Sequence, residues 1–404
     1  MSKVVKVSDD THTKLAKMAK WGESLDQVIQ RLTSSKGLED VVAGTSSITF
    51  IDGVNGRLLY RGYDINDLAE HSNFEETAYL LWQDGLPTEP QLENFSRNLY
   101  SKRAIPKEII SILKTLPRNA DAMDALRVCV AALGIFDDPM YSQREKAMSI
   151  AAKMGTIVAA IHRHKHDLNP IAPKSGLRYS SNFLYMLTGK ESSDSNAKLM
   201  DVLFILHADH ELNASTFAAR VIASTLSDIY SAVTGAVGAL KGPLHGGANE
   251  KVVEMTAEIG TTSEVDKYVT NKLENKQKIM GFGHRVYKTM DPRAKILKEI
   301  AKTFVTSEEE KEDFQILHRV EDIMRKEKDL YPNVDLYSGL ALHHLGIPTY
   351  LFTPVFAIGR GPGWLAHVLE QYGDNRIIRP RAEYNGSQGS HYIPIENRAG
   401  VLRR

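Results

Sequence analysis

Thiols are nearly absent from this chain: 404 residues carry one cysteine, Cys129. It cannot close a disulfide within the chain, which fits a reducing cytoplasm. Its apolar neighbours over 126–135 mark it as a core residue. Excess charge is absent as well. Lys and Arg total 50 and Asp and Glu total 50, so the balance draws neither nucleic acid nor an anionic membrane, and any anion site has to be local. Long apolar runs are missing: none reaches the length of a membrane span, and the first residues lack the apolar core of a secretion signal. No internal repeat or low-complexity tract is visible. What the chain does have is length and 42% hydrophobic residues, enough to bury a large core divided between a large and a small lobe. A soluble, cytoplasmic protein is expected.

Residues 1–35 differ from the rest of the chain. Residues 3–8 (KVVKVS) alternate and read as a short strand. Asp9 or Asp10 is placed to cap a helix running to about Lys20. Ser24 caps a second helix over 25–32, with Gln27 at the capping-box position. Strand, helix, turn and helix in this order resemble the ribbon-helix-helix unit of small antitoxins and repressors, a dimer whose paired strands read a DNA groove. Lys3 and Lys6 are few and lie on opposite strand faces, so assembly is favoured over nucleic acid. Residues 47–60 then read as a β-hairpin turning around Asp52-Gly53 and Asn55-Gly56. Beyond it the apolar spacing is helical almost throughout, over 74–83, 91–100, 107–116, 120–135, 143–162, 198–208 and 216–240. The last of these, rich in small residues, reads as one central helix and a dimer contact. From about Asn249 the helices become more polar, which suits a smaller lobe, and apolar character returns at Gly346.

The densest chemistry lies at 280–293, MGFGHRVYKTMDPR. Gly281 and Gly283 let the backbone bend close to a ligand, and His284 is followed by Arg285, Lys288 and Arg293. A histidine with basic neighbours on a bent loop suits a polyanion and one proton transfer. Upstream stand KGPLHGGANE (241–250) and HADHELNAST (207–216); downstream come PNVDLYSG (332–339), Gly359-Arg360 and Arg379-Pro380-Arg381. His207 and His210 fall on one helical face, a spacing that also suits metal, but no third ligand or HExxH context accompanies them. The HRHKHD run at 162–167 reads as a solvated helix end. Asp335, at a helix start, would ordinarily be an N-cap.

Five motifs in this order resemble the signature segments of the citrate synthase family, over nearly all of the chain from about Lys36 onward. The resemblance implies a mainly α, two-lobed helical fold with a short N-terminal β-hairpin. Residues 1–35 would be an extension, 36–248 and 346–404 the large domain, and 249–345 the small one. It implies a homodimer or larger assembly that condenses acetyl-CoA with oxaloacetate and hydrolyses citryl-CoA, with no metal or cofactor beyond the CoA substrate. By the same resemblance Asp335 takes a methyl proton, His245 stabilises the enol and His284 protonates the ketone. His210, Arg293 and Arg360 hold oxaloacetate, Arg379 reaches in from the other subunit, and Lys288 with Arg285 meets CoA. Within the family the alternative is 2-methylcitrate synthase, using propionyl-CoA; Arg-Pro-Arg at 379–381 favours citrate. From another class, the alternative is a DNA-binding, metabolite-sensing regulator. Gly361-Pro362-Gly363, after Arg360, departs from the family pattern and is expected to loosen that arginine.

Overall fold

In a computed structural model the described residues are 6–19, 22–34, 36–38 and 41–398. Two helices lead, α1 (Asp9–Met18) and α2 (Leu25–Ser34), followed by strands β1 (Thr49–Asp52), β2 (Arg57–Tyr60) and β3 (Tyr63–Asp64). Then come α3 (Ile65–His71), α4 (Phe74–Gln83), α5 (Glu89–Ser101), α6 (Lys107–Thr115), α7 (Ala122–Phe136) and α8 (Gln143–Lys165). The chain continues through α9 (Tyr179–Thr188), α10 (Asp194–His207), α11 (Ala214–Ser224) and α12 (Ile229–Leu240). A more polar group comes next: α13 (Ala248–Ile259), α14 (Val265–Glu274), α15 (Pro292–Phe304), α16 (Glu308–Lys328) and α17 (Asp335–His344). Helix α18 (Phe352–Gly373) returns through the first group, and the remaining described residues run as an exposed, mostly extended tail.

Caps decide most helix starts. Asn73, Asp121, Ser142, Asp228 and Ser307 each accept from backbone N–H groups of the first turn of α4, α7, α8, α12 and α16. Helix α8 is buried from Ala147 to Ile161 on nearly every side, apart from its ends, and α18 packs across α4, α8, α10, α11 and α12. These two helices form the centre of the core. Helices α13 to α17 pack chiefly on one another. The strands make one antiparallel sheet in the order β1-β2-β3, with Thr49 opposite Tyr60 and Asp52 opposite Arg57.

Several expectations need correction. The helix expected over 216–240 is two helices, because Leu226 takes a left-handed backbone (φ 63°) and Asp228 caps a new start through Ser231. The cap of α1 is Ser8, which accepts from Thr11 N–H, so neither Asp9 nor Asp10 caps it. At Ser24 the expected capping box is present: Gln27 Oε1 accepts from Ser24 N–H and Ser24 Oγ from Gln27 N–H. Of the strand expected over 3–8, residues 6–8 carry no strand and the rest lies outside the described residues. His162 and His166 both bond the hydroxyl of Tyr350, at 2.7 and 2.9 Å; His162 is half-buried rather than solvated, while His166 is exposed as expected. Gly361 and Gly363 do not loosen the chain. They lie inside α18, where a Cβ on Gly363 would sit 2.1 Å from Ala208 O, so the glycine permits close contact with the end of α10.

Candidate active site

Three loops and two helices converge where α10 ends. His210 follows α10 and is buried, its ring 5.0 Å from that of His284. The loop carrying His284 is tied to the start of α17 by a small antiparallel bridge. Gly283 N–H donates to Tyr331 O, Asn333 N–H to Gly281 O, and the Asn333 side chain to Gly283 O. Gly281 has φ 83°, and a Cβ there would meet Leu336 at 2.7 Å, so this crossing demands glycine. Asn333 also accepts from Asp335 N–H at 3.0 Å. Asn333, just ahead of the N-cap Val334, thus takes up the Asp335 amide, and the Asp335 carboxyl caps nothing. It is half-buried; burial pushes it up to about 6, against the pull of Arg293 and Arg360.

The histidine tautomers follow from their backbone partners. The amides of Val286 and Tyr287 donate to His284 Nδ1, at 3.0 and 3.1 Å. An amide only donates, so we assign the lone pair to Nδ1 and the proton to Nε2. At His245, in the turn between α12 and α13, Ser215 N–H donates to Nε2 at 3.3 Å, and Ser215 Oγ lies 2.8 Å from the same nitrogen. Here the proton belongs on Nδ1. Trp364 Nε1–H donates to Ser215 Oγ and holds this arrangement from α18. Burial pushes both histidines down to about 4, helped by Arg360 at His245 and Arg293 at His284. Both are neutral donors at neutral pH.

Two buried arginines face this group. Arg293, 3% exposed, binds both carboxylate oxygens of Asp291, through Nε at 3.0 Å and Nη2 at 2.7 Å. That leaves Nη1 for a ligand. Arg360, 2% exposed, donates from Nε to His207 O at 2.5 Å, and its Nη1 has no partner among the described residues. Burial pulls Arg360 down to about 10, so it stays charged. Beneath them Asp209 accepts from Thr49 and His367. Burial pushes Asp209 up, but His367 and Arg360 outweigh it and hold it low. The structure thus brings together His210, His245, His284, Arg293, Asp335 and Arg360. Arg285 and Lys288 are exposed, and Arg379 lies on the exposed tail. Among the described residues no three His, Cys, Asp or Glu side chains group as a metal centre would need.

A family model described as the citrate synthase C-terminal domain matches residues 37–381. The chain belongs to the citrate synthase family. It is 49% identical to citrate synthase 2 of Bacillus subtilis (strain 168), over 91% of this chain and all of that one. It is 41% identical to the citrate/2-methylcitrate synthase of the same organism, over 87% and 96%. Among solved structures, citrate synthase of Thermotoga maritima MSB8 superposes with a TM-score of 0.83 at 46% identity, covering 90% of this chain and 99% of that one. The ternary complex of the Thermoplasma acidophilum citrate synthase with carboxymethyl coenzyme A and oxaloacetate gives 0.86 at 37% identity, with coverage of 90% and 99%. The enzyme is of the acyltransferase type. Sequence reasoning missed the residues of this citrate synthase family member that orient others: Ser215 and Trp364 behind His245, Asn333 beside Asp335, and Tyr287 against His284. None carries a local signal, since each partner is assigned by the fold or by a backbone atom.

Proposed function

We propose that the enzyme condenses acetyl-CoA with oxaloacetate and hydrolyses the resulting citryl-CoA, using Asp335, His245 and His284. The Asp335 carboxylate removes a proton from the acetyl methyl group. His245 Nδ1–H donates a hydrogen bond to the thioester oxygen and stabilises the negative charge that develops there as the methyl proton leaves to Asp335. His284 Nε2–H polarises the ketone of oxaloacetate and delivers a proton as the carbon–carbon bond closes. Arg293, Arg360 and His210 bind the dicarboxylate, because a guanidinium fork matches a carboxylate. Arg379 of a second subunit completes that site, and Arg285 with Lys288 meets the CoA phosphates. Water then cleaves the thioester. CoA is a substrate here, and the steps call on no bound cofactor.

One observation carries this reading: two neutral histidines each have one nitrogen occupied by a backbone amide, and the arginines whose charges reach them, Arg360 and Arg293, also act on the desolvated Asp335 carboxyl. The separate packing of α13 to α17 supports a two-lobed enzyme that closes over the enol and shields it from water. A cytoplasmic location is supported by the buried, unpaired Cys129. No helix among the described residues is long and apolar enough to cross a membrane. A second reading, in which propionyl-CoA is also accepted, is favoured by the likeness to a citrate/2-methylcitrate synthase. One methylene discriminates by only about 1–3 kcal/mol. Initial rates of thiol release with oxaloacetate and each acyl-CoA decide between them. We expect kcat/KM to favour acetyl-CoA; a ratio favouring propionyl-CoA overturns that choice.

A further inference from the structure

Burying a polar atom without a partner is costly, so such atoms in a native fold call for an explanation. Five of them lie in one place here: Arg360 Nη1, His210 Nε2, His207 Nε2, Asp209 Oδ1 and the hydroxyl of Tyr287. The first two belong to the proposed oxaloacetate site, and His207 and Asp209 pack behind it, His207 O on Arg360 and Asp209 on Thr49 and His367. The Tyr287 hydroxyl has no part in the mechanism proposed above. Its side chain is 4% exposed, and its ring lies 4.7 Å from that of His284 and 5.6 Å from that of His210. Its hydroxyl feels the charges of Arg293 and Asp291. A ring chosen only to fill this space would be phenylalanine, which strands no hydroxyl.

We propose that the Tyr287 hydroxyl is a substrate-binding group that donates a hydrogen bond to the dicarboxylate held by Arg293, Arg360 and His210. A phenol is suited to this place. It adds a directed donor without adding a third cation beside two arginines, so it orients the ligand and leaves the charge balance of the site unchanged. Burial keeps it protonated, hence a donor. The same residue fixes His284 through its backbone, Tyr287 N–H donating to Nδ1. One residue thereby couples the position of the ketone's proton donor to the position of the ketone's own carboxylates. The inference rests on the reading that this pocket takes oxaloacetate.

Tyr287→Phe separates the side chain from the backbone, since it keeps the ring and the amide. Oxaloacetate affinity is measured by calorimetry, and the melting temperature with and without oxaloacetate, for the wild type and Tyr287→Phe. We expect the free variant to melt at the wild-type temperature or above, because a stranded hydroxyl is gone. We expect its Kd for oxaloacetate to rise about tenfold, as for loss of one hydrogen bond to a charged group, with the KM for acetyl-CoA unchanged. An unchanged Kd overturns the proposal. So does a weakened Kd that comes with a melting temperature several degrees lower, which marks a structural hydroxyl. A wild type that oxaloacetate neither binds nor stabilises removes the reading of the pocket itself, and the proposal with it.

Discussion

Asp335 stands in the first turn of α17, where an aspartate commonly caps, yet the cap position is Val334 and the Asp335 amide bonds Asn333. Burial holds its carboxyl up at about 6, against an ordinary value of 3.8. A base must be ionised to act, so activity is present above this value and lost as pH falls through it. His245 and His284, pushed down to about 4, stay neutral across the same range and add no limb of their own. We expect kcat/KM for acetyl-CoA, at saturating oxaloacetate, to fall with unit slope below about pH 6. A profile flat down to pH 5 would show that a carboxyl of ordinary acidity, or none, is the base. The family resemblance pointed to His210, His245, His284, Arg293, Asp335 and Arg360, which lie near one another here, and also to Arg285, Lys288 and Arg379, which are exposed. It did not show their protonation, because tautomers depend on backbone amides two and three residues away at His284 and on Ser215, thirty residues away, at His245.

Among the elements, the β1–β2 hairpin does more than begin the fold. Its base holds the end of α10 next to His210, through Thr49 to Asp209 and Tyr60 to the carbonyls of Ile205 and Asp209. Its tip meets the His284 loop, where Lys288 N–H donates to Gly53 O at 2.8 Å. A Cβ on Gly53 would lie 2.2 Å from Val286 O, a backbone atom that cannot swing aside. Gly53→Ala is therefore expected to displace the loop and loosen the amides that hold His284 Nδ1. Misplacing a reacting group by about 1 Å costs roughly 100-fold in kcat. Gly85→Ala is the control, since nothing lies within 4 Å of its Cβ position. Equal kcat in the two variants would mean that the hairpin tip does not position His284. The hairpin itself was legible from its two Gly turns and apolar runs. Its grip on residues 286–290 was not, because such a contact is long-range and made by backbone.

For the molecule as a whole, the helical class was legible because apolar spacing repeats through most of the chain. The break between α11 and α12 was not, since Ala, Ser and Gly continue across it and one left-handed residue makes it. The tail bearing Arg379 lies exposed. We expect Arg379→Ala to weaken oxaloacetate and, mixed with Asp335→Asn subunits, to regain activity in heterodimers that hold one complete site. No gain despite proven subunit exchange would place Arg379 within its own subunit's function. Helices α1 and α2 lie before the family match at 37–381, and α2 buries Val28. Removing residues 1–35 is expected to spare kcat while lowering the melting temperature or the mass in light scattering; unchanged values of both would exclude a part in assembly. The chemistry itself is tested most directly by Asp335→Asn, assayed for thiol release from acetyl-CoA and, separately, for oxaloacetate binding. We expect the fold and oxaloacetate affinity to be retained while turnover falls about 10²–10⁴-fold, as when a positioned base is lost. Turnover near that of the wild type would contradict the assignment of Asp335 as the base.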